Sequence, residues 1–211
     1  EFFTYVLQPH DAIIQELYGI SAVELSREIQ KIVSAIREGI DRARDQITAL
    51  MNKALEQPEA VGADVRDFTC EGGFLNEEDR AKASSAYDDM LFGGVFNVSK
   101  QTNIPAALLE DIAFQPGSED QFLKGGDFAG TPLQTLPARI RPLIRIGDDY
   151  YCTEPNIIRD ALYRSVQRSV ISRKPEYRED WNRKQKEMSE EAFAKLMGGS
   201  LKAAKVFSDV Y

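Results

Sequence analysis

The amino-acid sequence predicts an α+β protein that is predominantly α-helical, with a long amphipathic helix packed against shorter helices and one small β-hairpin. Two observations carry this prediction. Apolar residues recur at steps of three and four from about residue 22 to residue 55 without an intervening proline, as an amphipathic helix requires. Elsewhere, helical segments bounded by capping residues, Pro and Gly outnumber short runs of strand-like alternation.

The long helix begins at Ser21 and Glu24, which have the spacing of a capping box. Its apolar residues follow the spacing of a coiled-coil seam. We expect this seam to be buried against helices of the same chain or, alternatively, against a second copy of the chain. The seam residues are Leu25, Ile29, Ile32, Ile36, Ile40, Ala43, Ile47 and Leu50.

Shorter segments on both sides of the long helix are bounded by Pro, Gly and capping residues. In chain order they are a helix over 9–17 stopped by Gly19, a helix over 76–91 capped by Asn76 and ended by Gly93-Gly94, a strand over 95–98, a helix over 105–113 and a loop over 115–135.

The last third begins with a predicted hairpin over 140–153, in which Gly147-Asp148-Asp149 forms the turn. A helix follows over 154–170, and a second runs from Pro175 to residue 197, where Gly198-Gly199 is expected to stop it. Residues 206–211 alternate like a closing strand. That strand and the absence of an initiator Met lead us to expect a piece of a longer protein.

The best internal boundary is the Pro- and Gly-containing connection 57–74. It divides the chain into an N-terminal helical segment with the long helix, 1–57, and an α+β body with the hairpin and the C-terminal helices, 74–211.

The net charge of −8 argues against a general nucleic-acid binder. Residues 139–186 nevertheless hold twelve Lys and Arg against seven Asp and Glu, a net charge of +5 that leaves −13 for the rest. This excess is either ordinary charge on solvated helices or a surface that faces an anion or an acidic partner. Arg164 and Arg168, four residues apart on one predicted helix, are the anion-binding candidates, and a plain surface pair is the alternative.

Little in the sequence indicates catalysis. His10 is the only histidine and has no neighbouring nucleophile, so it is expected to start a helix. Cys70 and Cys152 are far apart and predicted to be free thiols of a cytoplasmic protein. The Gly-rich 124–131 lacks the order of a phosphate-binding loop. We therefore expect no metal and no cofactor. No apolar run is long enough for a transmembrane helix, and Trp181 is expected to be a half-buried packing anchor.

One resemblance concerns the last third of the chain. The order Pro142-Leu143-Ile144, turn, Tyr150-Tyr151, an apolar helix, a charged helix over 177–197 and an apolar strand resembles the stretch that leads into PD-(D/E)XK nuclease-like domains of bacterial nuclease-related proteins. The resemblance implies that Glu190 or Glu191 is the acid of the core-facing helix. The acid-x-Lys signature of such nucleases is absent, because no Lys has Asp or Glu two positions before it.

The first functional hypothesis is therefore a non-catalytic, helix-rich region of a larger bacterial protein that positions or regulates a downstream nuclease-like domain. The alternative is a helical protein-interaction or dimerisation module without a nuclease, associating through the long helix. A small-molecule enzyme that uses the loop 115–135 is the third possibility. Weak nucleic-acid contact is the most we expect of the isolated chain.

Overall fold

The structure is a computed structural model. Most of the residues that it describes are helical, and a three-stranded sheet is its β component. The predicted fold class is therefore confirmed. The described residues are 2–56, 75–91, 93–118, 120–124, 126–127, 130–131, 136–152 and 154–200.

Two short helices precede the long one. Helix α1 spans Phe2–Leu7 and α2 spans Asp11–Tyr18, with a 3-10 turn at Gln8–His10 between them. Gly19 adopts the left-handed conformation (φ +70°) that terminates α2, a conformation that glycine reaches without steric cost. The predicted stop at Gly19 is confirmed.

The long helix, α3, spans Ala22–Leu55. Its predicted capping box is present: the Glu24 amide donates to Ser21 Oγ at 3.2 Å, and the Ser21 amide donates to Glu24 Oε2 at 2.9 Å. The seam lies against other parts of the same chain, which satisfies the first of the two predicted arrangements. Six seam residues are buried, namely Leu25, Ile29, Ile32, Ile36, Ala43 and Ile47, while Ile40 and Leu50 are half-buried.

Helix α4, Glu77–Leu91, packs along the second half of α3. Asn76 caps it as predicted, because its Oδ1 accepts a hydrogen bond from the Asp79 amide at 2.8 Å. Small side chains, Ala83 and Ala86, are buried in the contact with α3, which lets the two helices approach closely.

The small sheet contains one strand that the sequence did not indicate. Helix α5, Ala106–Ile112, leads directly into β1, Ala113–Phe114. Strand β1 pairs in parallel with β2, Leu143–Ile146, and β2 pairs antiparallel with β3, Asp149–Tyr151. A two-residue strand has no room for alternation, so the sequence carries no signal for β1.

The predicted hairpin is present, but its strands are shorter than 140–153. Ile140 ends a helical turn, α7 (Pro137–Ile140), which follows the short α6 (Asp120–Lys124). Asp149 belongs to β3 and pairs with Ile146. The turn therefore consists of Gly147 and Asp148 alone, as in a two-residue hairpin.

The strand predicted over 95–98 is wrong. This segment forms a turn with one isolated bridge, between Asn97 and Tyr151. Two backbone hydrogen bonds, from Val98 N to Tyr150 O and from Cys152 N to Phe96 O, hold it beside β3, and the Asn97 side chain then accepts a hydrogen bond from the Ser99 amide at 3.0 Å in an Asx turn.

Two long helices complete the described chain. Helix α8 spans Pro155–Arg173, and α9 spans Arg178–Ser200 after a 3-10 turn at Pro175–Tyr177. The stop predicted at Gly198-Gly199 is wrong, because α9 continues through both glycines. Neither adopts the positive φ that would end a helix.

One apolar core is shared by both predicted segments. Buried residues of α1, α2 and the first half of α3 contact those of α5, β2 and α8, together with Trp181 of α9. The core thus joins 1–57 to 74–211, although the connection 57–74 itself lies outside the described residues, as does the predicted closing strand 206–211. Among the described helices, none has the length and apolarity needed to cross a membrane.

Candidate functional site

A cavity of about 240 Å³, here called the α8 cavity, lies beside the C-terminal half of α8. Four of its residues recur on α8 at spacings of three and four and so share one helix face. The other residues come from α5, from α7 and the residue that follows it, and from the end of α8. The lining residues are Asp111, Ile140, Arg141, Ser165, Arg168, Ser169, Ser172 and Arg173.

Asp111 and Arg173 form a bidentate ion pair at the edge of this cavity. Arg173 Nε and Nη2 donate to Asp111 Oδ2 and Oδ1 at 2.5 and 2.9 Å, and the hydroxyl of buried Tyr18 donates to Asp111 Oδ2 at 2.7 Å. Burial alone would raise the pKa of Asp111, but these hydrogen bonds and the Arg173 charge outweigh burial and lower it. Asp111 is therefore an ionised carboxylate whose charge Arg173 balances.

The other two arginines of the α8 cavity have no such partner. Neither Arg141 nor Arg168 forms an ion pair with any residue that the structure describes. Ser165 Oγ donates to the carbonyl oxygen of Ile140 at 2.5 Å, which holds the residue before Arg141 against α8. The cavity thus carries about two positive charges that no described carboxylate neutralises.

The two predicted anion-binding residues lie in different cavities. Arg168 lines the α8 cavity, whereas Arg164 lines a second cavity of about 310 Å³ together with Arg139, Asp160 and others. Arg164 likewise forms no ion pair with a described residue, and Asp160 pairs with Arg159 instead. Anion binding at Arg164 and Arg168 stays a prediction. Arg141 was not among the predicted residues, because a residue between a helical turn and a strand has no helical periodicity.

His10 is fully buried rather than simply starting a helix. Its imidazole stacks on the indole of Trp181, with 3.6 Å between ring centroids and 3° between ring planes. Gln185 Nε2 donates to His10 Nε2 at 2.8 Å and to the Val6 carbonyl at 3.0 Å. His10 Nε2 is therefore the acceptor, and the network assigns the ring proton to Nδ1, which lies 3.3 Å from the Tyr177 hydroxyl.

This environment keeps His10 neutral. Burial, with a smaller contribution from the charge of Lys184, lowers its pKa from 6.5 to about 4. Both ring nitrogens are engaged by Tyr177 and Gln185, so neither is available as a general base. Trp181 was expected to be half-buried and is fully buried. The sequence could not reveal the stack, because its two residues come from opposite ends of the described chain.

Glu28 is a second buried titratable group whose hydrogen bonds are structural. Its Oε2 accepts hydrogen bonds from the Asn103 amide at 2.8 Å and from the Thr102 hydroxyl at 3.3 Å. Lys31 Nζ donates to Oε1 at 2.5 Å. Burial alone would raise the pKa of Glu28, and these hydrogen bonds lower it. Through these hydrogen bonds the carboxylate links α3 to the segment that precedes α5.

Other predicted site residues lie on the surface of α9. Glu190 pairs with Lys186 at 3.5 Å and Glu191 with Lys195 at 3.8 Å, both one helical turn away. Within the described ranges, no three His, Cys, Asp or Glu residues are grouped to hold a metal ion. Cys152 is a free, buried thiol whose pKa burial raises to about 12, so it is not a nucleophile. Cys70 lies outside the described residues.

Comparison of the chain with protein-family models, with curated proteins and with solved structures finds no match.

Proposed function

We propose that the chain is a non-catalytic positioning module that holds α9 in one orientation for a nuclease-like domain. The observation that carries this proposal is the buried stack of His10 on Trp181. It fixes the first half of α9 to the N-terminal turn. Lys184, one turn further along, strengthens the attachment by donating to the Pro9 carbonyl at 2.7 Å.

The far half of α9 differs from the anchored half. Phe193 and Leu196, three residues apart on the helix, are 61% and 66% exposed. Apolar side chains exposed side by side favour a face that another folded unit covers. Glu190 and Glu191, the acids implied by the nuclease resemblance, lie next to this face. The helix is thus anchored at one end and carries two exposed apolar side chains near the other, which suits an arm that orients a neighbouring domain.

The absence of catalytic function is supported by the roles of the buried polar groups. His10, Asp111 and Glu28 each join segments that are distant in the sequence, and their hydrogen bonds are satisfied within the described structure. A general base or nucleophile would need an available lone pair directed at a substrate.

A second candidate is a protein-interaction module, and the exposed end of α9 favours it. The sequence placed the interaction on the α3 seam, but most of that seam is buried within the chain. Phe193 and Leu196 are therefore the better surface for association, whether with a partner protein or with a second copy.

Pulsed electron paramagnetic resonance tests the positioning proposal. Spin labels would be attached to Arg27→Cys on α3 and Ala192→Cys on α9, with Cys70→Ser to prevent labelling there. We expect one narrow distance distribution. Trp181→Ala should broaden it, whereas Arg183→Ala, an exposed residue two positions away on α9, should not. A broad distribution in the unsubstituted background would contradict the proposal.

Sedimentation of the chain and of its Phe193→Glu/Leu196→Glu variant separates the two candidates. Positioning predicts that both sediment as monomers. A wild-type dimer that becomes monomeric in the variant would instead favour the interaction module.

A further inference from the structure

We propose that the α8 cavity binds a dianionic phosphate group, either the free ion or the terminal phosphate of a small monoester. This inference goes beyond the positioning role and does not depend on it. Its basis is the set of three guanidinium groups, Arg141, Arg168 and Arg173, that line one cavity in which Asp111 is the single carboxylate among the described residues.

The charges of the cavity match a dianion. Asp111 would repel an anion if it were unpaired, but Arg173 balances it through two hydrogen bonds. Arg141 and Arg168 then remain, with about +2 between them. A phosphate monoester carries about −1.5 to −2 at neutral pH, so one such group would neutralise the site.

The hydrogen-bond donors also suit phosphate. A guanidinium group presents a planar fork of N–H donors that fits two phosphate oxygens at once. Ser172, on the same helix face as Arg168, makes no side-chain hydrogen bond to a described residue and can donate its hydroxyl. The site lies along the side of α8 and is built from three separate segments, with Arg141, Arg168 and Ser172 as exposed side chains at its edge.

Cavity size and net charge restrict the ligand further. At about 240 Å³, the cavity is smaller than the roughly 300–1,000 Å³ typical of sites for drug-sized ligands, so it fits one phosphate with a small substituent. A nucleic-acid strand is disfavoured, because the chain carries −8 overall and repels polyanions beyond the cavity. The affinity for a small ligand inside the cavity depends instead on its attraction to the nearby arginines.

Titration of the ¹⁵N-labelled chain, followed by NMR at constant ionic strength, tests this proposal. The probes are inorganic phosphate, ethyl phosphate and diethyl phosphate. We expect saturable shifts of the amides of Arg168, Ser169 and Ser172 with the first two probes, and binding of the diester, a monoanion, to be about tenfold weaker. Tighter binding of ethyl phosphate than of inorganic phosphate would identify a monoester as the ligand, and the reverse would identify the free ion.

Matched variants show whether phosphate binds in the cavity or on the basic surface in general. Arg168→Gln and Arg141→Gln should each weaken binding by about tenfold. Arg164→Gln removes the same charge one turn away but outside the cavity, and it should change affinity by less than about twofold. Equal losses in Arg164→Gln and Arg168→Gln would overturn the proposal, as would binding that none of the variants affects or the absence of saturation.

A pH series adds a readout that depends on the ligand's charge. Binding of ethyl phosphate should strengthen as the pH rises through about 6, the second pKa of a phosphate monoester. Sulfate, a dianion throughout, should bind with little change over the same range. An affinity for ethyl phosphate that stays constant with pH would contradict recognition of the dianion.

Discussion

The imidazole of His10 lies parallel to the indole of Trp181, and the two ring centroids are 3.6 Å apart. His10 belongs to the turn between α1 and α2, while Trp181 lies in the first turns of α9. Both side chains are fully buried. This contact joins residues near the two ends of the described chain. The protonation state of His10 should therefore affect the stability of the whole fold.

Stability should fall as the pH decreases from about 6.5 toward 4. The pKa of His10 is about 4 in the folded chain against 6.5 for an ordinary histidine. Below pH 6.5 the unfolded chain therefore binds a proton that the folded chain does not. Each pH unit in this window should remove up to about 1.4 kcal/mol from the free energy of unfolding. Urea denaturation at pH 7.0, 6.0 and 5.0 measures the slope.

His10→Gln is the control for this pH dependence. The chain contains no other histidine, and ordinary carboxyl groups titrate mainly below about pH 4.5. The variant should therefore be less stable at pH 7 but nearly insensitive to pH between 6.5 and 5. A slope equal to that of the unsubstituted chain would show that another group is responsible.

The α3 seam was predictable from sequence, and the cavity beside α8 was not. Helical periodicity and the Ser21–Glu24 spacing are local, so they identified α3 within one or two residues. The pairing of Asp111 with Arg173 and the stack of His10 on Trp181 depend on tertiary packing, which no local pattern encodes. Arg168 was found because it shares a helix face with Arg164, yet only the fold separates their cavities.

Truncation of two seam residues should have unequal costs. Ile36 is fully buried in the main core, whereas Ile40 is only half-buried. Ile36→Ala should lower the free energy of unfolding by about 2–5 kcal/mol, the range for buried large-to-small substitutions. Ile40→Ala should cost clearly less. Urea denaturation of both variants checks this, and equal costs would contradict the difference in burial between the two positions.

The chain alone should not cleave nucleic acid in the presence of a divalent metal. Metal-assisted phosphodiester hydrolysis needs carboxylates that converge on an ion, and Glu190 and Glu191 are each paired with a lysine on the surface of α9. Incubation of labelled DNA and RNA with Mg²⁺ or Mn²⁺ should yield no cleavage above the background. Cleavage that is lost in Glu190→Ala/Glu191→Ala would refute this prediction.

Gly39 is buried within α3, where a Cβ atom would lie 2.6 Å from Val95 Cγ1. Helix propensity alone would favour Ala by about 1 kcal/mol, but overpacking typically costs about 1–3 kcal/mol. The steric cost should prevail, so Gly39→Ala is expected to lower the melting temperature.

Two comparisons isolate the steric cause of this effect. In a Val95→Ala background Cγ1 is absent, so the added methyl group of Gly39→Ala should cost less than in the unsubstituted chain. Gly198→Ala, in α9 where no heavy atom of another described part of the chain lies within 4 Å of the added Cβ, should be neutral or stabilising by up to about 1 kcal/mol. Equal melting temperatures of Gly39→Ala and Gly198→Ala in calorimetry would show that Val95 does not restrict the side chain at position 39.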